Sequence, residues 1–194
     1  YFSMQDNKSL GAKSANHSRT TITELMIPSY ANFGGKIHGG ILLSLMDKVA
    51  YACATKHSGA YCVTVSVDDV DFLQPVEVGD LVSMLASVNY VGNSSMVIGI
   101  KVIAENVMSG TVKHTNTSYL TMVAKDDEGN LQQVAPLSLE SASEVRRFTE
   151  AIKRRKLKKD FSEKMDGEKV KFNLAQEIKL LADQRCIINL QEEE

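Results

Sequence analysis

Apolar residues recur at the helical period in one stretch that opens with glycines. If a helix begins at Gly39 or Gly40, spacings of three and four residues place its apolar side chains on one face. That stripe comprises Ile41, Leu42, Leu45, Met46, Val49, Ala50 and Cys53. Basic residues precede a glycine from Lys56 to Gly59, which is typical of a helix end. The pattern predicts a long, largely buried helix.

The segments on both sides of this helix alternate between apolar and polar residues, as strands do. A β-branched run from Arg19 to Ile27 predicts a first strand, which Pro28 ends. Four longer runs follow the helix, at residues 61–72, 81–91, 96–107 and 111–124. Turn residues separate them about every dozen positions. We therefore expect antiparallel, hairpin-linked strands that pair with their nearest neighbours.

One long helix and a sheet with one apolar face can both be buried if the sheet wraps around the helix. The sequence therefore predicts an α+β domain over residues 18–135. Residues 4–17 are polar and mixed, and residues 1–17 are expected to be a flexible N-terminus, with residues 1–3 a tag remnant. Residues 136–194 are predicted to be a charged helical extension. Its helices are expected from Leu139 to about Lys159 and from Leu174 to Asp183.

The overall composition mainly excludes classes of function. The chain is 43% hydrophobic and 24% charged, with a net charge of −2, so it has no overall attraction to nucleic acid. No apolar run is long enough to span a bilayer. The three cysteines form an odd, scattered set, which favours reduced, buried thiols in a cytoplasmic protein. No ligand cluster for a metal is evident, and we expect none to be bound.

Several motifs surround the predicted helix. Asn32 and Gly35 precede His38-Gly39-Gly40, and Met46-Asp47 follows within the helix. The strand runs add three more motifs: Val63-Thr64-Val65-Ser66-Val67-Asp68, Asp71-Phe72-Leu73-Gln74-Pro75-Val76 with Val78-Gly79-Asp80, and Val91-Gly92-Asn93-Ser94-Ser95. Over roughly residues 18–125 the combination resembles the hotdog-fold acyl-CoA thioesterases, in particular the broad-specificity group that includes the brain-type hydrolase. The resemblance implies a hotdog fold, a long antiparallel sheet around one central helix.

The resemblance also implies a catalytic pair, Asn32 and Asp47, fifteen residues apart. In the family these residues act across a subunit interface. A carboxylate can activate water as a general base, and we expect Asp47 to be partly buried beside the apolar stripe. Backbone N–H groups of Gly39 and Gly40 at the helix start would form the oxyanion hole. Asn32 would orient the water or polarise the carbonyl. The alternative is that Asp47 is an ordinary helix-surface residue.

Further positions are candidates for binding the substrate. His38 is expected to pack the loop or to hydrogen-bond near the substrate. The pantetheine arm carries two amides, which the edge of one strand could bind through Thr64, Val65 and Ser66. Ser94 and Ser95 are either turn residues or lie near the coenzyme. The basic stretch that contains Arg154 and Arg155 would bind the phosphates of coenzyme A, or is a solvated helix face.

These features predict a cytoplasmic acyl-CoA thioesterase that converts acyl-CoA and water to free fatty acid and coenzyme A, with no cofactor beyond the coenzyme A of its substrate. The resemblance implies a homodimer, preferably within a hexamer built as a trimer of dimers. One alternative is a regulator that binds acyl-CoA, although residues 1–17 are too short for a DNA-binding segment. Another is a hotdog dehydratase that pairs His38 with Asp47. Thiol release, a gel shift and crotonyl-CoA hydration would separate the three.

Overall fold

The structure, a computed structural model, describes residues 10–170 and 172–190. It divides into two compact units, one ending at Ile152 and the other beginning at Lys153. The proposed tag remnant lies outside the described residues. The elements are β1 (Lys13–Ser14), α1 (Ala15–Ser18), β2 (Thr20–Leu25), α2 (Gly39–Ser58), β3 (Tyr61–Val67), β4 (Asp80–Val91), β5 (Ser95–Asn106), β6 (Val112–Lys125), β7 (Leu137–Ser138), α3 (Ala142–Val170) and α4 (Leu174–Leu180).

Five strands form one antiparallel sheet in the order β2-β4-β5-β6-β3, and helix α2 contacts all five of them. The predicted stripe of α2 is buried, except that Ile41 is only half-buried. It packs against alternate side chains of the strands, such as Met84, Ile100 and Met122. The predicted α+β hotdog architecture, with a sheet around one central helix, is confirmed. The central helix is α2.

Strand pairing differs from the prediction at one place. β3 pairs with β6, and β4 lies between β2 and β5. The expectation that each strand pairs with its nearest neighbour is therefore wrong for β3 and β4. Residues 68–79 connect these two strands and are too many for a hairpin turn, and a connection of that length can cross the end of the sheet. β2 and β3 thus form the two edges of the sheet.

Several boundaries also move. The strand predicted over 61–72 ends at Val67, and the irregular residues after it are anchored by backbone bonds such as Leu73 N–H to the Thr115 carbonyl at 3.0 Å. Helix α3 continues to Val170, about three turns beyond the predicted end. Residues 13–17 belong to the segment expected to be flexible, yet they form β1, which is parallel to β7, and most of α1.

Helix α2 ends where the sequence predicts. Gly59 follows it with a left-handed φ of 72°, and its N–H donates to the Thr55 carbonyl at 2.8 Å. Cys53 and Cys62 are buried as expected, whereas Cys186 is exposed, so the expectation of buried thiols is wrong for Cys186. Within the part of the chain that the structure describes, no helix is both long and apolar enough to cross a bilayer.

Candidate active site

Asn32 organises the loop that precedes helix α2. Its side-chain Oδ1 accepts hydrogen bonds from the backbone N–H groups of Gly34 at 2.9 Å and Lys36 at 3.2 Å. The backbone of Asn32 closes the same turn by donating to the Lys36 carbonyl at 2.7 Å. Among the described residues, none accepts a hydrogen bond from Asn32 Nδ2. The amide therefore has a free donor and an occupied acceptor, which favours polarising a carbonyl over activating water.

His38 caps the start of helix α2. Its side-chain Nδ1 accepts a hydrogen bond from the Gly40 N–H at 2.9 Å. The backbone N–H of His38 donates to the Tyr30 carbonyl at 2.8 Å. An N-cap side chain satisfies one of the orphan donors of a helix's first turn. A Cβ on Gly40 would lie 3.1 Å from that Nδ1, a tight contact that the glycine avoids. The capping bond occupies Nδ1 of His38, so that nitrogen is not free to act as the base of a dehydratase.

The cap also distinguishes the two glycines that the sequence offers as oxyanion donors. The Gly40 N–H is already bound by His38, whereas the Gly39 N–H has no acceptor within the described residues. A Cβ on Gly39 would lie 3.3 Å from the Phe72 ring, so the missing side chain also admits that ring. Gly39 is therefore the better oxyanion donor.

Asn32 and Gly39 line one cavity of about 350 Å³, which we call the donor cavity. Its remaining walls are mostly apolar and come from the start of α2 and the segment before β4. They comprise Lys36, Ile37, Leu42, Phe72, Gln74, Pro75 and Val76. Asn32 and Gly39 thus each bring an N–H donor to the wall of a largely apolar space, and donors in such a space stabilise a polarised carbonyl oxygen when they converge on it.

Asp47 lies two helical turns further along α2, on the face opposite the core. Thr64 on β3 donates its hydroxyl to Asp47 Oδ1 at 2.6 Å. The carboxylate is exposed in this chain, so the expectation that it would be partly buried is wrong for the protomer. The physical reason is that the helical stripe turns toward the sheet at Met46 and Val49, while Asp47 points away from it. A bond from a hydroxyl to an ionised carboxylate is short and strong, and it fixes one oxygen.

Thr64 reaches Asp47 from an irregular position of an edge strand. The pairing of β3 with β6 shifts register between Thr64 and Ser66, so Val65 has no partner and is exposed. Bulges of this kind re-aim side chains and are common beside active sites. The expectation that residues 64–66 form a strand edge is confirmed, because β3 is the last strand of the sheet. Their binding of pantetheine stays a prediction.

A second cavity, of about 410 Å³, surrounds the carboxylate, and we call it the carboxylate cavity. Two tyrosines form its wall: the rings of Tyr51 and Tyr61 meet edge to face with centroids 6.2 Å apart. The full lining comprises Asp47, Lys48, Tyr51, Tyr61, Cys62, Val63 and Thr64. Sequence reasoning missed the tyrosine pair, although Tyr51 follows Asp47 by one helical turn and that spacing was available as a signal.

The donor cavity and the carboxylate cavity share no residue. Gly39 and Asp47 are eight positions apart on one helix, so about 12 Å of helix axis separates them. A thioester carbonyl must lie about 3 Å from both its oxyanion donors and the attacking water. Within one chain, the Gly39 N–H and the Asp47 carboxylate therefore lie far apart and in separate cavities.

Other predicted site residues lie elsewhere. Ser94 and Ser95 lie at the β4–β5 turn, where the carbonyl of Ser95 accepts from the Gly92 N–H at 2.7 Å, and they line neither cavity. Arg154 and Arg155 are on helix α3 in the second unit. Phe72 was missed as a site residue, because nothing in the sequence pattern indicates that it approaches Gly39.

A buried thiol offers no alternative nucleophile. Burial is the main cause that raises the pKa of Cys53 to about 11, so Cys53 is protonated at neutral pH. The described residues also contain no group of three or more His, Cys, Asp or Glu side chains that could hold a metal ion. The arrangement that remains is a carboxylate with a hydroxyl partner and, in a separate cavity, a pair of N–H donors.

Comparisons with known proteins identify relatives among the thioesterases. The sequence profile of the Thioesterase superfamily matches residues 34–111. Protein VdlD of Helicobacter pylori is 41% identical over 74% of this chain and 82% of its own length. The uncharacterized acyl-CoA thioester hydrolase YkhA of Bacillus subtilis is 35% identical over 71% of this chain and 80% of its own. A human protein named cytosolic acyl coenzyme A thioester hydrolase is 30% identical over 70% of this chain but only 36% of its own.

Solved structures agree. An apo-hexameric acyl-CoA thioesterase superposes with a TM-score of 0.76 at 32% identity, over 79% of this chain and 98% of its own. An acyl-CoA hydrolase from Staphylococcus aureus, in complex with butyryl coenzyme A and coenzyme A, gives a TM-score of 0.72 at 32% identity, over 82% and 99%. The same hydrolase has structures with alanine in place of an asparagine, an aspartate and a threonine.

Proposed function

The chain belongs to the thioesterase superfamily, and from that premise we propose that it hydrolyses fatty acyl-CoA to free fatty acid and coenzyme A. The named activity of YkhA and the butyryl coenzyme A bound to the Staphylococcus aureus hydrolase support the thioester substrate. Membership of the broad-specificity, brain-type group within the superfamily stays a prediction. We also propose a cytoplasmic location, supported by the name of the human relative.

The observation that carries the proposal is the hydrogen bond from Thr64 to Asp47. A carboxylate with one oxygen fixed by a hydroxyl keeps its other oxygen available to accept a proton. Asp47 Oδ2 therefore serves as the general base that removes a proton from the attacking water. Thr64 acts as a positioning residue, since it holds the carboxylate without contacting the water.

The electrophile is bound by the donor cavity. Asn32 Nδ2 and the Gly39 N–H donate to the thioester oxygen, which carries negative charge in the tetrahedral intermediate. The positive end of the α2 dipole adds to this stabilisation, because Gly39 is the first residue of the helix. No cofactor is required for this chemistry, because the thiolate of coenzyme A leaves readily.

The reaction then balances with these groups alone. Water oxygen bonds to the carbonyl carbon while Asp47 takes its proton. The intermediate collapses, the carbon–sulfur bond breaks, and the proton passes from Asp47 to the departing thiolate. The products are a fatty acid and coenzyme A, and Asp47 is again a carboxylate.

We propose that each complete site combines the donor cavity of one subunit with the carboxylate cavity of another. The axial separation along α2 supports this arrangement. The choice of these residues is supported by the Staphylococcus aureus hydrolase, whose substituted asparagine, aspartate and threonine are spaced by fifteen and seventeen positions. Asn32, Asp47 and Thr64 have the same spacing. The hexameric neighbours support a homo-oligomer, which we propose is a hexamer built as a trimer of dimers.

The test is thiol release from a series of fatty acyl-CoA substrates. Asp47→Asn keeps the size of the side chain and removes the base, so we expect kcat to fall at least a hundredfold. Asp127→Asn makes the same charge change in an exposed turn and serves as the control. Near-normal turnover by Asp47→Asn, or no turnover of any acyl-CoA by the wild type, would refute the proposal.

A further inference from the structure

A cavity of about 450 Å³ opens on the face of the sheet that turns away from helix α2. Its floor includes Thr21, Leu85, Lys101 and Thr117, which are successive register partners across β2, β4, β5 and β6. Neighbours of these residues along the strands, such as Met84 and Ile100, belong to the core. Because side chains alternate across a sheet, the floor lies on the opposite face. The cavity is therefore separate from the donor and carboxylate cavities.

Cations dominate the lining of this cavity. Arg19 and Lys101 come from the sheet region, and Arg146 and Arg147 come from the first turns of α3. The lining also includes one carboxylate, Glu150, which is bound to Arg146 at 2.7 Å. Within the described residues, no carboxylate forms an ion pair with Arg19, Lys101 or Arg147. The chain as a whole has a net charge of −2, so this local excess of positive charge is a feature of the cavity.

The cavity also contains a buried amide with an unused donor. Asn89 is 6% exposed, and its Oδ1 accepts from the Ser87 hydroxyl at 3.1 Å. Among the described residues, none accepts from its Nδ2. Asn89 lines the cavity, so its Nδ2 can donate to an oxygen of a bound ligand.

Two local features hold that amide in place. The β4–β5 register shifts between Val88 and Tyr90, so Asn89 is the extra residue of a bulge. Across from it, a Cβ on Gly99 would lie 2.1 Å from Asn89 Nδ2, so only a glycine leaves room for the amide. A bulge and a glycine that together seat a polar side chain against a cationic cavity indicate a built binding site.

We propose that this cavity binds the phosphate group of a small phosphate ester. Guanidinium and ammonium groups bind phosphate oxygens through charge-assisted hydrogen bonds, and the Asn89 amide adds a neutral donor. The volume lies within the range of about 300–1,000 Å³ that is usual for small-molecule sites. The hydroxyls of Thr21, Ser87 and Thr117 supply polar contacts for the organic part of the ligand. This site does not depend on the catalytic roles proposed for Asn32 and Asp47.

The test measures binding of inorganic phosphate, pyrophosphate, ADP and desulfo-coenzyme A to the full-length protein by calorimetry at low ionic strength. Arg19→Gln combined with Lys101→Gln removes two exposed cations from the cavity. Lys156→Gln combined with Lys164→Gln makes the same charge change at two exposed positions that do not line it. We expect the cavity variant to weaken binding of at least one phosphate ester tenfold or more, and the control variant to leave it unchanged.

The probes also separate the sources of the phosphate. Competition between desulfo-coenzyme A and substrate, with KM raised and kcat unchanged in the cavity variant, would assign the cavity to the nucleotide end of the substrate. Binding of ADP without such competition would assign it to a separate ligand. Gly99→Ala, which displaces the Asn89 amide, should weaken the same binding in a variant whose far-ultraviolet circular dichroism is unchanged. The proposal is wrong if none of the four compounds binds, or if both charge variants bind equally.

Discussion

The donor cavity and the carboxylate cavity differ in how much of their geometry one chain provides. In the donor cavity the chain holds its own donors: Asn32 is bound to two backbone N–H groups, and His38 caps the helix that presents Gly39. In the carboxylate cavity the reactive group is exposed and has one hydroxyl partner. The two tyrosines that line it, Tyr51 and Tyr61, are exposed as well. One chain preforms the donor cavity, whereas the carboxylate cavity stays open to solvent until another subunit covers it.

This difference suggests that association of subunits affects the carboxylate cavity more than the donor cavity. Covering the carboxylate cavity would remove water from Asp47, and charged groups act more strongly when water is excluded. The donor cavity would gain less from the same covering, since its hydrogen bonds are internal. Substitutions in the two cavities should therefore have different signatures.

The largest effect is expected at Asn32. Asn32→Asp keeps the oxygen that accepts from Gly34 and Lys36, so the loop retains its hydrogen bonds, but it replaces the Nδ2 donor with an acceptor. Removing one oxyanion donor costs about a hundredfold to a thousandfold in kcat, and we expect a loss of that size with unchanged thermal stability. Asn32→Ala, which removes both functions, should lose activity and stability together. Wild-type turnover by Asn32→Asp would show that the loop contacts alone matter.

A smaller effect is expected at Thr64. Thr64→Val removes the hydroxyl and preserves the shape, so Asp47 loses the donor that fixes Oδ1. Hydrogen bonds to charged groups contribute about 1.5–3 kcal/mol, and the exposed position argues for the lower end, so we expect kcat to fall about tenfold. Thr64→Ser should restore most of it. Equal losses in both variants would mean that Thr64 acts through its shape.

The helix cap should affect stability more than chemistry. His38→Ala leaves the first turn of α2 without its cap, which costs about 1 kcal/mol in the free energy of unfolding. His38→Asn supplies another capping side chain and should retain most of the stability. Urea unfolding at one protein concentration would measure both. A dehydratase-type role for His38 would instead abolish activity in both variants without changing stability.

His57, near the C-terminal end of α2, should make the stability of the fold depend on pH. It lines neither the donor cavity nor the carboxylate cavity. His57 is fully buried, and its pKa is lowered from 6.5 chiefly by burial, with Lys13 and His17 adding repulsion. Its Nε2 contacts the Ala135 carbonyl at 2.9 Å, and its Nδ1 has no partner within the described residues. The unfolded chain takes up a proton near pH 6.5, before the folded protein does, so stability is full above that pH and falls below it.

Urea midpoints at pH 7.5 and pH 5.5 test this sign. The wild type should lose stability at the lower pH, and His57→Gln, which cannot titrate but can still donate to Ala135, should lose less. A wild type that is more stable at pH 5.5 would contradict the assignment.

Much of the fold can be predicted from the sequence pattern. The spacing of apolar residues and the turn residues depends only on neighbouring positions in the chain. The stripe from Ile41 to Cys53, its end at Gly59 and the four strand runs are visible without a structure. The pairing of β3 with β6 is not visible, since it depends on how residues 68–79 cross the sheet. The bulge at Val65 has the same origin, because a shift in register is a property of two strands together.

The candidate site was predictable in its residues and less so in its geometry. Asn32, Asp47 and Gly39 could be named from motifs. The exposure of Asp47 could not, because one position along a helix decides between core and solvent. The choice of Gly39 over Gly40 required the His38 cap, which depends on a side-chain rotamer. Phe72 and the tyrosine pair come from distant parts of the chain that only folding brings near the site.

The central claim is that Asn32 of one subunit works with Asp47 of another, and subunit mixing tests it most directly. Asp47→Ala and Asn32→Ala, each inactive alone, would be co-expressed with different tags, and oligomers carrying both tags would be purified. A two-fold dimer of the two variants has one site with both substitutions and one with neither, so purified mixed dimers should recover about half of wild-type turnover, and mixed hexamers with randomly paired subunits about a quarter. Mixed oligomers that remain inactive in thiol release would contradict the account.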